Sequence, residues 1–164
     1  QKTLLFTGSI ANNIKFGKKD AEYKEVEDSA KIAQAYEFIS NKPNKFDELI
    51  TEGGSNVSGG QKQRLSIARA IVRKPDIYIF DDSFSALDFK TDAILRKELR
   101  SETKDAIVLI VAQRIGSIMD ADKIIVLNEG EVVGIGTHKE LIKNCPIYHE
   151  IATSQLTEEE LANE

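Results

Sequence analysis

Two short apolar runs bracket one helical stretch, and that order limits the fold more than any other feature of the chain. Ile77, Tyr78, Ile79 and Phe80 run without a polar residue into Asp81 and Asp82, and residues 106–112 form a second apolar run. Runs that are apolar on both faces suit the buried strands of a parallel sheet. A helix predicted over residues 90–100 joins them, so strand, helix and strand should form a unit with a right-handed crossover. The fold class that follows is α/β.

The first half reads as mostly helical. Leu4, Leu5 and Phe6 make a short apolar patch before a Gly8-Ser9 turn. Asp20 is placed to cap a helix over residues 21–40, along which Val26, Ala30 and Ala33 repeat at helical spacing, and residues 41–43 should stop it. A second helix is expected to start just after Ser58 and end before Pro75. On it Leu65, Ala68 and Val72 form an inward stripe, with Lys62, Ser66, Arg69 and Arg73 opposite. Further on, residues 123–127 and 131–135 flank Asn128-Glu129-Gly130 as a hairpin would. Thr137 and Glu140 have capping-box spacing and should open another helix. The four glutamates after Thr157 predict a frayed, solvated helix.

Composition excludes whole classes of function. No apolar run approaches the ~18–20 residues of a membrane span. With 27 acidic and 22 basic side chains the net charge is −5, which is the wrong sign for a nucleic-acid footprint. The single cysteine, Cys145, cannot form an internal disulfide, and no Cys/His cluster points to zinc. The chain opens on Gln1 rather than Met, so it is expected to be a piece of something longer. His138 and His149 read as surface helix residues, Cys145 as a small packing residue, and Arg64 and Arg69 as solvated or salt-bridged.

Chemistry concentrates at two places. Ser58-Gly59-Gly60-Gln61 opens a helix, where exposed amides and the helix dipole favour an anion such as phosphate. The same residues also fit a flexible turn before a helix. Asp81 and Asp82 end a strand, where α/β enzymes place ligands and where an aspartate of P-loop ATPases helps hold Mg²⁺. They also fit an ordinary strand-end turn.

The longer string from Val57 through Ala70, VSGGQKQRLSIARA, resembles the signature motif of ATP-binding-cassette (ABC) proteins over its whole length, with Val57 where leucine is usual. Ser85-Ala86-Leu87-Asp88 resembles that family's D-loop, and Ile110 to Arg114 occupies its switch-loop position. Gln1 with the segment from Leu4 to Ile14 resembles the Q-loop and its sequel in exporter-type members, and Glu52-Gly53-Gly54 is similar to the exporter pattern too. The resemblance implies ATP and Mg²⁺ as ligands of the complete domain. It implies Ser58, Gly59, Gly60 and Gln61 on ATP held by a second subunit, Asp81 and Gln1 toward the metal ion, Asp82 and Gln113 as catalytic positions, and Ser85 and Asp88 in the D-loop.

Three departures qualify the match. The phosphate loop G-x-x-x-x-G-K-[ST] is absent: its one Gly-Lys candidate, Gly17-Lys18, has Asn12 and Lys19 at the other required positions. Asp82 stands where a water-polarising glutamate is usual, and Gln113 where the switch histidine is usual. An amide can donate to a phosphate oxygen but cannot carry a proton as imidazole does. Together the two changes are expected in the degenerate half of a heterodimeric exporter.

The resemblance therefore implies a helical subdomain with the Q-loop segment and signature over residues 1–73, and the later part of the ATP-binding core over 74–164. The implied partners are a second ABC subunit and a membrane-spanning domain of the same chain, with no nucleic acid, at the cytoplasmic face of the cell membrane. The sheet should lack its phosphate-loop strand and expose apolar surface prone to self-association. Other readings are a regulatory module that ATP holds together with little hydrolysis, and a soluble ABC protein unconnected with transport.

Overall fold

The computed structural model describes residues 3–157. Gln1 and the glutamate-rich tail lie outside the described residues. The chain divides into two compact units, with the boundary between Val111 and Ala112.

In the first unit, strand β1 (Gly8–Ser9) leads into helix α1 (Ile10–Lys15), whose first turn is capped by Ser9 Oγ accepting from the Asn12 amide at 3.1 Å. Helices α2 (Tyr23–Ile32) and α3 (Tyr36–Ser40) follow, then strand β2 (Leu49–Ile50), antiparallel to β1. Helix α4 (Gly59–Ile71), strand β3 (Ile77–Asp81), helix α5 (Phe89–Glu102) and strand β4 (Ile107–Val111) complete the unit. Ile10, Ile14, Val26, Ala30, Leu65 and Ala68, from α1, α2 and α4, are fully buried in one shared core.

The expected helix over residues 21–40 is two helices. Gln34 adopts a left-handed φ of 56°, the Gln34 amide donates to Lys31 O at 3.0 Å, and the Ala35 amide donates to Ala30 O at 2.7 Å. That pair of bonds is a Schellman ending, usually built on glycine. Glutamine in its place hides the break from sequence reading. The start also moves: Glu22, not Asp20, precedes α2, and its amide donates to Glu25 Oε2 at 2.9 Å.

Strands β3 and β4 pair in parallel, Ile77 opposite Ile107 through Asp81 opposite Val111, with α5 between them in sequence. Their burial alternates. Tyr78 and Phe80 are buried with Leu95 and Leu99 of α5, whereas Ile79 is 67% and Ile107 65% exposed. The expected double-sided burial is therefore present on one face only. Ile77, Ile79, Ile107, Leu109 and Val111 make the other face an open apolar surface.

The second unit holds the hairpin β5 (Ile124–Asn128) and β6 (Glu131–Gly136), followed by α6 (His138–Asn144) and α7 (Pro146–Gln155). Glu129 and Gly130 turn the hairpin with φ of 49° and 84°, as a two-residue primed turn requires. Thr137 and Glu140 form the expected capping box of α6. No helix among the described residues is long and apolar enough to cross a membrane.

Candidate functional site

Helix α4 begins where the glycines predicted it. Ser58 Oγ accepts from the Gln61 amide at 3.2 Å, and Gln61 Oε1 accepts from the Ser58 amide at 3.1 Å. This box satisfies two of the end's donors and leaves Gly59 and Gly60 to supply the remaining first-turn amides. Ser58 and Gly59 are exposed and Gly60 is half-buried. The helix therefore presents a formed, accessible, electropositive end.

Gly60 is glycine for a second reason. A Cβ there would stand 3.0 Å from the carbonyl oxygen of Ala86 and 3.7 Å from Leu87, whereas at Gly59 it would meet nothing closer than Ala86 Cβ at 4.0 Å. The loop after β3 thus rests directly on the start of α4.

That loop carries the two carboxylates. Asp81 closes β3, exposed, and Asp82 follows with a left-handed φ of 48°, its amide donating to Val111 O at 2.9 Å. Aspartate is among the few non-glycine residues enriched in this conformation. Ser85 Oγ donates back to Asp82 O at 3.1 Å. Asp88 is the N-cap of α5: its carboxylate accepts from the Thr91 amide at 2.9 Å and the Thr91 hydroxyl at 2.7 Å. Those two bonds hold its carboxyl below the usual range, aided by the more distant Arg64 charge.

Gln63, which carried no role in the sequence reading, joins the two parts. Its Oε1 accepts from the Ala86 amide at 3.0 Å, and its Nε2 faces Asp82 O and Ser85 Oγ at 3.4 Å each. A cavity of about 220 Å³ opens alongside, lined by Thr3, Gln63, Ser66, Asp81, Asp82 and Ser83 among others.

Arg64 and Arg69, expected to be solvated or salt-bridged, are half-buried and make no salt bridge among the described residues. Arg64 donates to Gln34 O at 2.7 Å and lies over the Phe38 ring. Arg69 donates to Asn13 O at 2.9 Å, Leu4 O at 3.0 Å and Asn13 Oδ1 at 3.1 Å, with its guanidinium carbon 5.1 Å from the Phe6 ring centroid and 5.8 Å from that of Phe16. Burial pushes both guanidinium pKa values down. Asn13, 2% exposed, also accepts from the Phe6 amide and donates to Phe6 O, both at 2.8 Å. Carbonyl oxygens have no sequence signature, so these partners could not be read from the residue pattern.

Gln113 belongs to the second unit and is exposed. Its carbonyl accepts from Gln155 Nε2 at 2.9 Å, while Gln155 Oε1 accepts from the Ile115 amide at 2.9 Å. His138, expected at the surface, is 3% exposed and bonds through Nδ1 to the Tyr148 hydroxyl at 2.6 Å. Cys145 is buried, as a packing residue should be.

Among the described residues no group of three or more His, Cys, Asp or Glu converges as a metal cage. The exposed Asp81 carboxylate is of the kind Mg²⁺ takes, since that ion typically uses one or two carboxylates and completes its shell with water and substrate phosphate. The amide-rich start of α4 fits a phosphate.

Comparison with known proteins bears on both features. The family profile described as ABC transporter matches residues 1–85. An uncharacterized ABC transporter ATP-binding protein of Bacillus subtilis is 45% identical over 97% of this chain, which spans 27% of that relative. ATP-binding cassette sub-family B member 5 of Mus musculus is 43% identical over 94% of the chain, which spans 12% of it. Among solved structures, a bacterial Atm1-family ABC exporter with ATP bound superposes with a TM-score of 0.92 at 35% identity, over 96% of this chain and 28% of that one.

Proposed function

The chain belongs to the ABC transporter family, and we propose that it is the later part of the ATP-binding domain of an exporter, coupling ATP binding and hydrolysis to transmembrane transport. The observation that carries this reading is the boxed start of α4, exposed at Ser58 and Gly59 and packed in cis through Gly60 on the loop that bears Asp81 and Asp82. The likeness to an exporter with ATP bound supports it, and weighs against a soluble ABC protein unconnected with transport.

On this reading residues 1–73 hold the Q-loop segment and signature, and residues 74–164 the later core. Ser58 and the amides of Gly59 and Gly60, with Gln61 bracing them, face the γ-phosphate of ATP held by a second subunit. Asp81 and Gln1 would hold the Mg²⁺ of ATP in this chain's own site, and that ion would supply charge neutralisation at the phosphates when bound. Asp82 polarises water at one methylene less reach than glutamate, and a misplacement of ~1 Å costs on the order of 100-fold in rate. Gln113 offers an amide hydrogen bond in place of an imidazole, and Ser85 and Asp88 belong to the loop that meets the partner.

Asp82 and Gln113 together favour a degenerate half of a heterodimer, whose good signature serves the partner's site. They also support a regulatory variant of the same reading, in which ATP holds two domains together here and is scarcely cleaved. The partners are a second ABC subunit and a membrane-spanning domain at the cytoplasmic face of the cell membrane. The chain by itself, lacking a phosphate loop, is proposed to be inactive.

Two measurements test this. Calorimetric titration of the chain with Mg-ATP should give no micromolar affinity, and one tightly bound nucleotide per chain would sink that part. In the full-length heterodimer with the partner's site disabled, Asp82→Glu with Gln113→His should raise single-turnover hydrolysis, with Asp82→Glu alone doing less. No gain in the double variant would place the defect elsewhere. A rate already equal to that of the partner's site would rule out degeneracy.

A further inference from the structure

We propose that Gln63 is a positioning residue, clamping the loop from Asp82 to Ala86 onto helix α4 so that the carboxylate and the loop beyond it keep one geometry. The inference deepens the proposed ATPase reading and rests on it for its catalytic consequence. Both ends of the Gln63 amide are used. The acceptor takes the Ala86 N–H at 3.0 Å, and the donor is shared between Asp82 O and Ser85 Oγ at 3.4 Å. One side chain of α4 therefore reaches three residues of a loop about twenty positions away in sequence.

Three features make this a clamp. Phe84 and Leu87 anchor the loop in the core at 3% and 5% exposure, but Ala86 between them is exposed. Ala86 is held through both of its flanking peptides, the N–H of one by Gln63 and the carbonyl of the next against the bare Cα of Gly60. Asp82 sits in a sparsely populated backbone region, which persists only where the surroundings over-determine it. The Val111 carbonyl fixes its amide, and Ser85 and Gln63 approach its own carbonyl. Gln63 also lines the cavity beside Asp81 and Asp82, so its amide stands at the edge of the space a reacting group would occupy.

The amide is suited to the task because it is neutral and offers a donor and an acceptor at once. Glutamate has the same shape and keeps an acceptor for Ala86, but it has no N–H for the Asp82 carbonyl. Leucine keeps similar bulk and loses both. The two substitutions therefore separate the halves of the clamp.

The test uses the full-length transporter with its partner subunit, comparing Gln63→Glu and Gln63→Leu with the unaltered protein. Gln63→Leu should lower kcat for ATP hydrolysis roughly ten- to hundred-fold, as a loop displaced by about 1 Å would. KM should stay within about twofold, because both ends of the Gln63 amide are engaged by the loop. Gln63→Glu should lower kcat less. By hydrogen exchange, the Ala86 amide should exchange roughly five- to ten-fold faster in Gln63→Leu and near the normal rate in Gln63→Glu, as one lost hydrogen bond implies. Unchanged exchange and unchanged kcat in Gln63→Leu would overturn the proposal. So would a rise in KM alone, or equal losses in both variants with normal Ala86 exchange in each. If the unaltered protein shows no turnover, the ATPase reading fails by itself, and the exchange measurement still decides whether the clamp exists.

Discussion

Alanine at Gly60 and alanine at Gly59 should have opposite effects on stability and similar effects on ATP turnover. At Gly59 the new methyl meets only Ala86 Cβ at 4.0 Å, an ordinary contact, so the variant keeps the helix-propensity gain of up to about 1 kcal/mol. At Gly60 the methyl stands 3.0 Å from Ala86 O, and that peptide cannot swing away freely because its N–H, on Leu87, donates to Phe84 O at 3.1 Å and Gln63 holds the neighbouring Ala86 amide. Pushing the loop back by a few tenths of an ångström is an overpacking change, costing about 1–3 kcal/mol and outweighing the same gain. Gly60→Ala should therefore be less stable than Gly59→Ala by about 1–3 kcal/mol. Urea unfolding of the complete ATP-binding domain measures it.

Function is expected to follow the other axis. If the start of α4 faces a nucleotide held by the partner, a methyl on either glycine occupies the approach to that phosphate, and hydrolysis at the partner's site should fall for both. Gly60→Asp adds a carboxylate against phosphate, repulsive by about 1 kcal/mol at ~4 Å in water-like surroundings and about 4 kcal/mol at an effective dielectric of 20. Nucleotide binding to this chain's own site should survive. Full turnover in a stable Gly59→Ala variant would refute the assignment of this helix end to a nucleotide, and a Gly60→Ala variant as stable as Gly59→Ala would refute the packing argument.

Three further outcomes are expected. Gly17→Ala would drive a Cβ into the Arg69 carbonyl oxygen and to 3.1 Å from Val72 Cγ1, so the urea midpoint should drop by the equivalent of about 3 kcal/mol, the upper end of overpacking costs. Gln155→Ala removes both bonds to the 113–115 backbone, and the Ile115 amide should then exchange up to about tenfold faster. Asp88 and Glu140 have carboxyls held low, by Thr91 and Thr137 hydrogen bonds respectively. Their contribution is present above the unfolded carboxylate pKa near 4 and is lost only as pH falls through the lower folded value. In an acid titration the Thr91 and Thr137 amide signals should therefore move at lower pH than those of an unstructured reference peptide, and movement above pH ~4 would contradict the assignment.

Elements with local causes were legible in the sequence. The Ser58 and Thr137 boxes, the hairpin turn at Glu129-Gly130, and the two apolar runs each carry their signal within a few residues, and each stands where the pattern put it. What escaped depends on partners far along the chain. His138 is buried because Tyr148, in the next helix, supplies a hydroxyl, and Arg69 is half-buried because backbone oxygens at positions 4 and 13 receive it. The strands read as apolar on both sides, and the second side is open only because nothing among the described residues packs on it. The proposed site divides the same way. Its motifs were visible as strings, while the contacts that position them, above all those of Gln63, were not.

In the first unit, the long-range contacts that escaped converge on one element. Helix α4 extends about 20 Å at 1.5 Å per residue. Near its start Gly60 and Gln63 hold the loop after β3, and Arg64 holds the carbonyl of Gln34 at the break between α2 and α3. About a turn and a half further on, Arg69 holds Leu4 and Asn13, with Gly17 packed against the same turn. Each attachment is polar or close-packed backbone, so none can slip by a small amount at low cost. The amides of Gly59 and Gly60 are therefore fixed by the same rigid body that fixes the carboxylate loop. A displacement of the segment around Leu4 to Asn13 must either carry that body along or break the Arg69 bonds, and Arg69→Lys, which cannot span three acceptors with one ammonium, leaves the second route open.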